Sequence, residues 1–208
     1  MAGCDPVSVT VITPTIPGRV DLLRRAFLSV KAQTAPVALE MMNDETGLGP
    51  AVVRNHLMRR ARTGWVAFLD DDDELYPDHI ASLLAVAEDT GADVVYPDFD
   101  LVVDGEVRPS SDLVGDLTWN PDRLRGGNFI PVTVLARREA ILDVGGFPQP
   151  GTPSWPIHDC EDWGLWLRLL DAGATFAHLP MVTWAYHKHG GNTAGRPDNV
   201  PRPTAGHR

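Results

Sequence analysis

Cysteine is nearly absent from this chain: 208 residues contain two, Cys4 and Cys160. Two cysteines do not suggest a disulfide framework, and a reducing, cytoplasmic setting is expected. Long hydrophobic runs are missing too. No stretch approaches the ~20 apolar residues that cross a bilayer, so no transmembrane segment is expected. Met1 to Pro6 lack the basic region and apolar run of a secretory signal. Positive charge is scarce: Lys and Arg total 18 against 28 Asp and Glu, a net charge of -10. That balance disfavours nucleic acid or an anionic membrane as a partner of the whole surface. The local basic cluster of Arg54, Arg59, Arg60 and Arg62 reads either as a solvated helix face or as a polyanion site. The sequence contains no internal repeat.

What is present is ordinary for a globular protein, 43% hydrophobic and 22% charged, at a length that fits one domain with a sizeable core. Val7 to Thr13 is β-branched and reads as a buried strand, broken by Pro14, Pro17 and Gly18. Leu23, Ala26, Phe27 and Val30 then fall on one face of a helix. Ala38 to Met42 suggests a second strand. Pro50 opens a helix to about Ala61, Trp65 to Leu69 is a third strand, and Pro77 starts a helix with Ile80, Leu83, Leu84 and Ala87 on one face. Asp93 to Tyr96 is a fourth strand. Strands and helices in alternation, with strands apolar throughout, predict a mostly parallel sheet covered by helices.

After Pro97 the rhythm changes. Asp104-Gly105 marks a hairpin, and Pro131 to Ala136 reads as a strand followed by a short helix from Arg138. A Pro- and Gly-rich loop spans Pro148 to Pro156. Trp163, Trp166, Leu167 and Leu170 mark a helix ended by Gly173, and Val182 to Tyr186 is a late strand. From Gly190 the composition suits a flexible tail. We therefore divide the chain into a first half (1–97), a second half (98–190) of the same domain, and a tail (191–208).

Ligands of such sheets bind at the carboxyl ends of the strands. There stand Thr13 to Arg19, Asn43 to Gly49 and the run Asp70 to Asp73. Four adjacent carboxylates repel one another, and a divalent cation with oxygen ligands relieves that repulsion. A solvated acidic turn is the competing reading. A calcium-binding helix-loop-helix does not fit: Leu75 stands where its loop needs glycine and Ala81 where it needs glutamate. Glu161 and Asp162 open the Trp163 helix, either as dipole-favoured acids or with one serving as a general base. His187 and His189 share a face of an extended segment, as two metal ligands would. Thr13 to Arg19 offers backbone groups and an arginine to a base or diphosphate.

Together these segments resemble the family 2 glycosyltransferases of the GT-A fold, over roughly Val7 to Asn192. VTVITPTIPGR is similar to that family's first strand and nucleotide loop. Gly49, Arg54, Asn55 and then GWVAFLDDDD (64–73) resemble its central segment ending in the DxD motif. Asn128 with Gly145-Gly146-Phe147 resembles the stretch before the catalytic helix, Glu161-Asp162 with Arg168 that helix, and Tyr186 to His189 a tyrosine followed by the metal-binding histidine. The resemblance implies a single compact α/β domain, a nucleotide-diphospho-sugar transferase of hexosyltransferase type, inverting and dependent on Mn²⁺ or Mg²⁺. It implies Asp72, Asp70 and His189 at the metal, and Asp162 as base with Glu161 beside it. Thr13, Pro14, Thr15, Arg19, Asp44, Arg54, Asn55, Asp70 and Asp71 would surround the donor. A UDP-sugar is favoured as donor, with a GDP-sugar as alternative. The acceptor would be a glycan, a lipid-linked glycan, a protein or another hydroxyl, with nucleic acid less favoured. The rival readings are a nucleotidyltransferase, which would want more glycine than Gly18 after the first strand, and a non-catalytic sugar- or nucleotide-binding module.

Overall fold

The computed structural model describes residues 8–149 and 160–190. The proposed tail (191–208) and most of the loop 148–156 lie outside the described residues.

The first half follows the expected alternation. β1 (Val9–Thr15), α1 (Val20–Lys31), β2 (Val37–Asn43), α2 (Pro50–Arg60) and β3 (Trp65–Phe68) succeed one another, with β2 and β3 parallel to β1 on either side. Val9, Val11, Ile12, Val66, Ala67 and Phe68 are completely buried, as apolar strands covered on both faces must be. Then come β4 (Glu74–Leu75), α3 (His79–Thr90), β5 (Val94–Val103), β6 (Glu106–Pro109), α4 (Ser111–Val114), α5 (Pro121–Gly126), β7 (Leu135–Arg137), α6 (Arg138–Asp143), α7 (Glu161–Asp171) and β8 (Phe176–Lys188).

The strand order is β2-β1-β3-β7-β5-β8-β4, with β6 beside β5. One sheet therefore joins the two halves of the sequence, because β7 inserts between β3 and β5. The α/β class and the helical cover agree with expectation, but the pairing is mixed rather than mostly parallel. β7 runs antiparallel to both neighbours, and β4 and β6 pair antiparallel with β8 and β5.

Two strands are longer than their sequences suggest, for one reason. Pro97 ends the apolar run Val94–Tyr96, and Pro180 interrupts the run before Val182. Both fall where the β5–β8 register shifts: Leu179 pairs with Pro97 and Val182 with Asp98. Pro180 and Met181 are the residues the register skips, so the missing N–H of Pro180 breaks no ladder bond, while Pro97 stands opposite Leu179 at the edge of the shift. The hairpin at Asp104-Gly105 is as expected, with φ of 52° and 83°. Pro131 to Val134 is a buried connection, and the strand itself shrinks to Leu135–Arg137. The short elements β4, α4 and α5 carry no periodicity long enough to be read from sequence.

Candidate active site

The carboxyl end of β3 delivers the acidic run into a turn. Leu69 N–H closes on Ile12 O at 3.1 Å and Asp73 N–H on Asp70 O at 3.2 Å. The next residues pair with β8, Glu74 with Ala185. From β8, His187 N–H donates to Asp73 Oδ1 at 2.9 Å. The turn is thus held from both sides, and Asp71, Asp72 and Asp73 are buried.

Basic groups gather round it. Arg19, just before α1, donates from Nη1 to Asp71 Oδ1 at 2.7 Å and lies 3.3 Å from Asp72 Oδ2. Thr15 Oγ1 donates to Asp71 Oδ2 at 2.6 Å. Arg25, on α1, donates to the carbonyl oxygen of Asp72. His189 Nε2 lies 3.1 Å from Asp72 Oδ2. Nearly buried Arg54 reaches two ways, from Nη2 to Asp70 Oδ1 at 2.5 Å and from Nη1 to Glu161 Oε1 at 2.7 Å.

These cations do not satisfy the whole cluster. Burial pushes the Asp73 carboxyl well above the usual range, and Asp70 and Asp72 push it further. Burial, with Asp70 and Asp71, also raises Asp72 against the opposing pull of Arg19 and His189. Carboxylate oxygens of Asp70, Asp72 and Asp73 can all lie within 4.8 Å of one another. Hard oxygen donors at that spacing, short of positive charge, fit a divalent cation such as Mg²⁺ or Mn²⁺. Of the expected ligands Asp72, Asp70 and His189, the first two belong to this group; Asp73 takes the third place in it, and His189 stands beside Asp72 outside it.

The acidic turn lines a cavity of about 440 Å³. Pro14, Thr15, Arg19, Asp44 and Arg54 line it too, as do Glu161 and Asp162. The Asp44 carboxylate accepts N–H bonds from Leu48 at 2.9 Å and Gly49 at 2.8 Å. Burial works to raise its pKa, and the backbone donors outweigh burial and lower it, so Asp44 faces the cavity ionised. Gly49 has φ of 88°, a conformation that lets its N–H turn back onto that carboxylate.

The two acids of α7 separate. Glu161 takes Arg54, whereas among the described residues no cation forms an ion pair with Asp162. Asp162 Oδ1 accepts the N–H of Trp163 at 2.7 Å. Desolvation, then the neighbouring Glu161 charge, pushes the Asp162 carboxyl up to about 7, a value suited to exchanging a proton near neutrality.

Two expected donor-binding residues lie away from the cavity lining. Thr13 is buried in β1. Asn55 is buried on α2, donating to Phe147 O at 2.8 Å and accepting Phe147 N–H at 2.9 Å. This clamp leaves no room for a side chain at Gly146, where a Cβ would come within 2.3 Å of Asn55 Oδ1. His187 differs from His189: its ring nitrogen is 3.9 Å from Glu74 and burial lowers its pKa. Sequence reasoning missed Arg25, which nothing in the Arg24-Arg25 pair distinguishes. It also missed the wall built by Phe129 to Thr133 and Trp184, concealed in a segment that reads as strand. Thr133 Oγ1 and Trp184 Nε1, both buried, have no hydrogen-bond partner among the described residues.

The family model described as Glycosyl transferase family 2 matches residues 36–141, from β2 through the acidic turn to α6. The chain belongs to this family. It is 30% identical over 160 residues to the pre-mycofactocin glycosyltransferase of Mycobacterium tuberculosis, covering 73% of this chain and 32% of the relative. It is 25% identical over 146 residues to the Escherichia coli UDP-Glc:alpha-D-GlcNAc-diphosphoundecaprenol beta-1,3-glucosyltransferase WfaP, covering 70% of this chain and 54% of that one. The chain thus spans about a third to a half of the length of these two relatives. S. aureus TarS 1-349, solved with UDP-GlcNAc, superposes with a TM-score of 0.70 at 18% identity, over 89% of this chain and 60% of that 1-349 chain. The mannosyltransferase PcManGT from Pyrobaculum calidifontis, solved with GDP-Man and Mn²⁺, gives 0.65 at 18% identity, over 86% and 56%. The fold is the GT-A glycosyltransferase fold that the motifs imply. Among the described residues no helix is long and apolar enough to cross a membrane.

Proposed function

We propose that this protein transfers a sugar from a nucleotide-sugar to an acceptor hydroxyl in one inverting displacement that depends on a divalent cation. One observation carries the reading: a single cavity is lined both by the Asp70–Asp73 turn and by Asp162, a carboxyl with no ion-pair partner among the described residues. Transfer from a nucleoside diphosphate needs charge neutralised at the leaving group and, elsewhere, a base for the attacking hydroxyl.

Asp72, Asp70 and Asp73, with His189 beside them, would hold the cation. When bound, that cation neutralises the diphosphate as a Lewis acid. Thr15 and Arg19 fix the orientation of Asp71 and Asp72. Asp44, ionised and facing the cavity, is suited to accept an N–H of the donor base. Asp162 takes the proton of the acceptor hydroxyl as that oxygen bonds to the anomeric carbon and the bond to the diphosphate breaks. Glu161, Arg54 and Asn55 position rather than react: Arg54 ties the acidic turn to α7, and Asn55 holds the segment before it. The UDP-sugars named for WfaP and TarS favour a UDP-sugar, and the GDP-Man of PcManGT makes a GDP-sugar the alternative. The low cysteine content supports a cytoplasmic site of action. A nucleotidyltransferase has no use for Asp162, and neither does a binding module.

Titration calorimetry with UDP and GDP, in Mn²⁺ and in EDTA, tests the donor side. Binding is expected only with the cation, and equal affinity in EDTA refutes the reading. Asp72→Ala is expected to lose more affinity than Asp73→Ala, whose carboxylate also serves the β8 backbone.

A further inference from the structure

The cavity has a second wall of different chemistry. Leu113 and Val114 of α4 and Pro131 before β7 line it with partly exposed apolar side chains, while Phe129, Ile130 and Val132 beside them are buried. Ile16 and Leu113 line the cavity while keeping 46% and 40% of their surface exposed, so they stand where it meets solvent. Large apolar side chains exposed at the rim of a cavity mark the path of an apolar ligand.

We infer that the acceptor is amphiphilic, its hydroxyl lying near Asp162 while an aliphatic or aromatic group runs along this wall and leaves past Leu113. The inference rests on the transferase reading above. A free sugar presents hydroxyls all round, whereas between Leu113 and Thr133 the described lining carries polar side chains at Asn128 and Thr133 alone, the further polar groups of Trp184 and Tyr186 coming from β8. A polyanionic acceptor would need cations here. Among the described residues the basic side chains lining the cavity, Arg19 and Arg54, are already on Asp71, Asp72, Asp70 and Glu161. An alkyl or aryl group gains from this surface what each of those acceptors would lose.

The test compares methyl and n-octyl β-D-glucopyranoside, which present the same hydroxyls, by calorimetry on the protein loaded with UDP and Mn²⁺. The octyl glycoside is expected to bind at least ~10-fold tighter, as burial of a few methylenes implies. Leu113→Asp is expected to remove most of that difference. Leu28→Asp, an exposed apolar position that does not line this cavity, is expected to keep it. A difference that survives Leu113→Asp overturns the inference. A protein that binds UDP with Mn²⁺ but treats both glycosides alike overturns this inference alone. One that ignores UDP and GDP yet separates the glycosides through Leu113 overturns the transferase reading and leaves the apolar site standing.

Discussion

The two acidic groups of the cavity differ in their surroundings. The turn Asp70–Asp73 packs four carboxylates among Arg19, Arg25, Arg54 and His189. The pair on α7 shares one of those cations: Arg54 takes Glu161 and leaves Asp162 with a backbone N–H. Carboxylates concentrated beyond their counter-charge attract a further cation. A single carboxyl without an ion pair among the described residues, in a desolvated site, retains a proton until near neutral pH and can then exchange it. Residue type is the same in both places, so under the proposed reaction it is the environment that would divide the work.

The sharpest way to break this comparison is Asp162→Asn. The amide keeps the shape and loses the basicity. Transfer is expected to fall by ~10² to 10⁴, the typical worth of a positioned base, with nucleotide affinity unchanged. Slow donor hydrolysis, with water as the acceptor, is a sufficient readout. The pH profile carries the same signature. The proton must be off for Asp162 to act, so the rate is expected to rise about tenfold per unit below pH 7 and to level above it. A wild-type rate in folded Asp162→Asn, or a flat profile between pH 5 and 8, makes the pair a helix cap and nothing more.

How far this was readable from sequence differs between the halves. Strands β1 to β3 are short segments with a local signal, and the acidic run after β3 draws attention to that strand's end. Even so, β1 runs on through Pro14 to Thr15, paired with Met42 and Asn43, where the proline alone reads as a break. Beyond Pro97 the determinants are not local. Whether Pro97 or Pro180 ends a strand depends on the bulge it shares with the other strand, and β7 is ordered by β3 and β5 rather than by its own three residues. The site divides likewise. Acid clusters announce themselves by composition, but their partners come from afar: Arg54 and Glu161 are 107 residues apart, Asp72 and His189 117. A clamp such as Asn55 on the Phe147 backbone has no sequence signal beyond Gly146, whose lack of a side chain it requires.

Arg54 is where the two regions touch, and Arg54→Met should disturb both. The substitution removes two charge-assisted hydrogen bonds and leaves Asp70 and Glu161, a third and a fifth exposed, without their cation. Partial exposure limits the penalty below that of a fully buried pair, to about 3 kcal/mol. For a chain of this size that corresponds to a fall in Tm of about 6–12 °C by calorimetry. An unchanged Tm would show that the bridge contributes nothing to stability and that α7 is held by its apolar face alone.

The smallest expected effect sharpens the metal side, where two histidines two residues apart on β8 and just beyond it have unequal surroundings. His189 places Nε2 at 3.1 Å from Asp72 Oδ2. His187 instead serves the turn through its main chain, its N–H on Asp73, and its ring is turned toward Glu74. An alanine at 187 keeps the N–H that matters, whereas an alanine at 189 removes the imidazole beside the carboxylate cluster. His189→Ala is therefore expected to weaken Mn²⁺-dependent UDP binding by about 10-fold, the lower end for losing a group that supports a metal site. His187→Ala is expected to change it less than about 2-fold, within the scatter of such substitutions away from a site. Calorimetry of both variants against wild type at one Mn²⁺ concentration decides between them. A larger loss at His187 would reverse the assignment, making its ring rather than its backbone the contribution of β8 to the acidic turn.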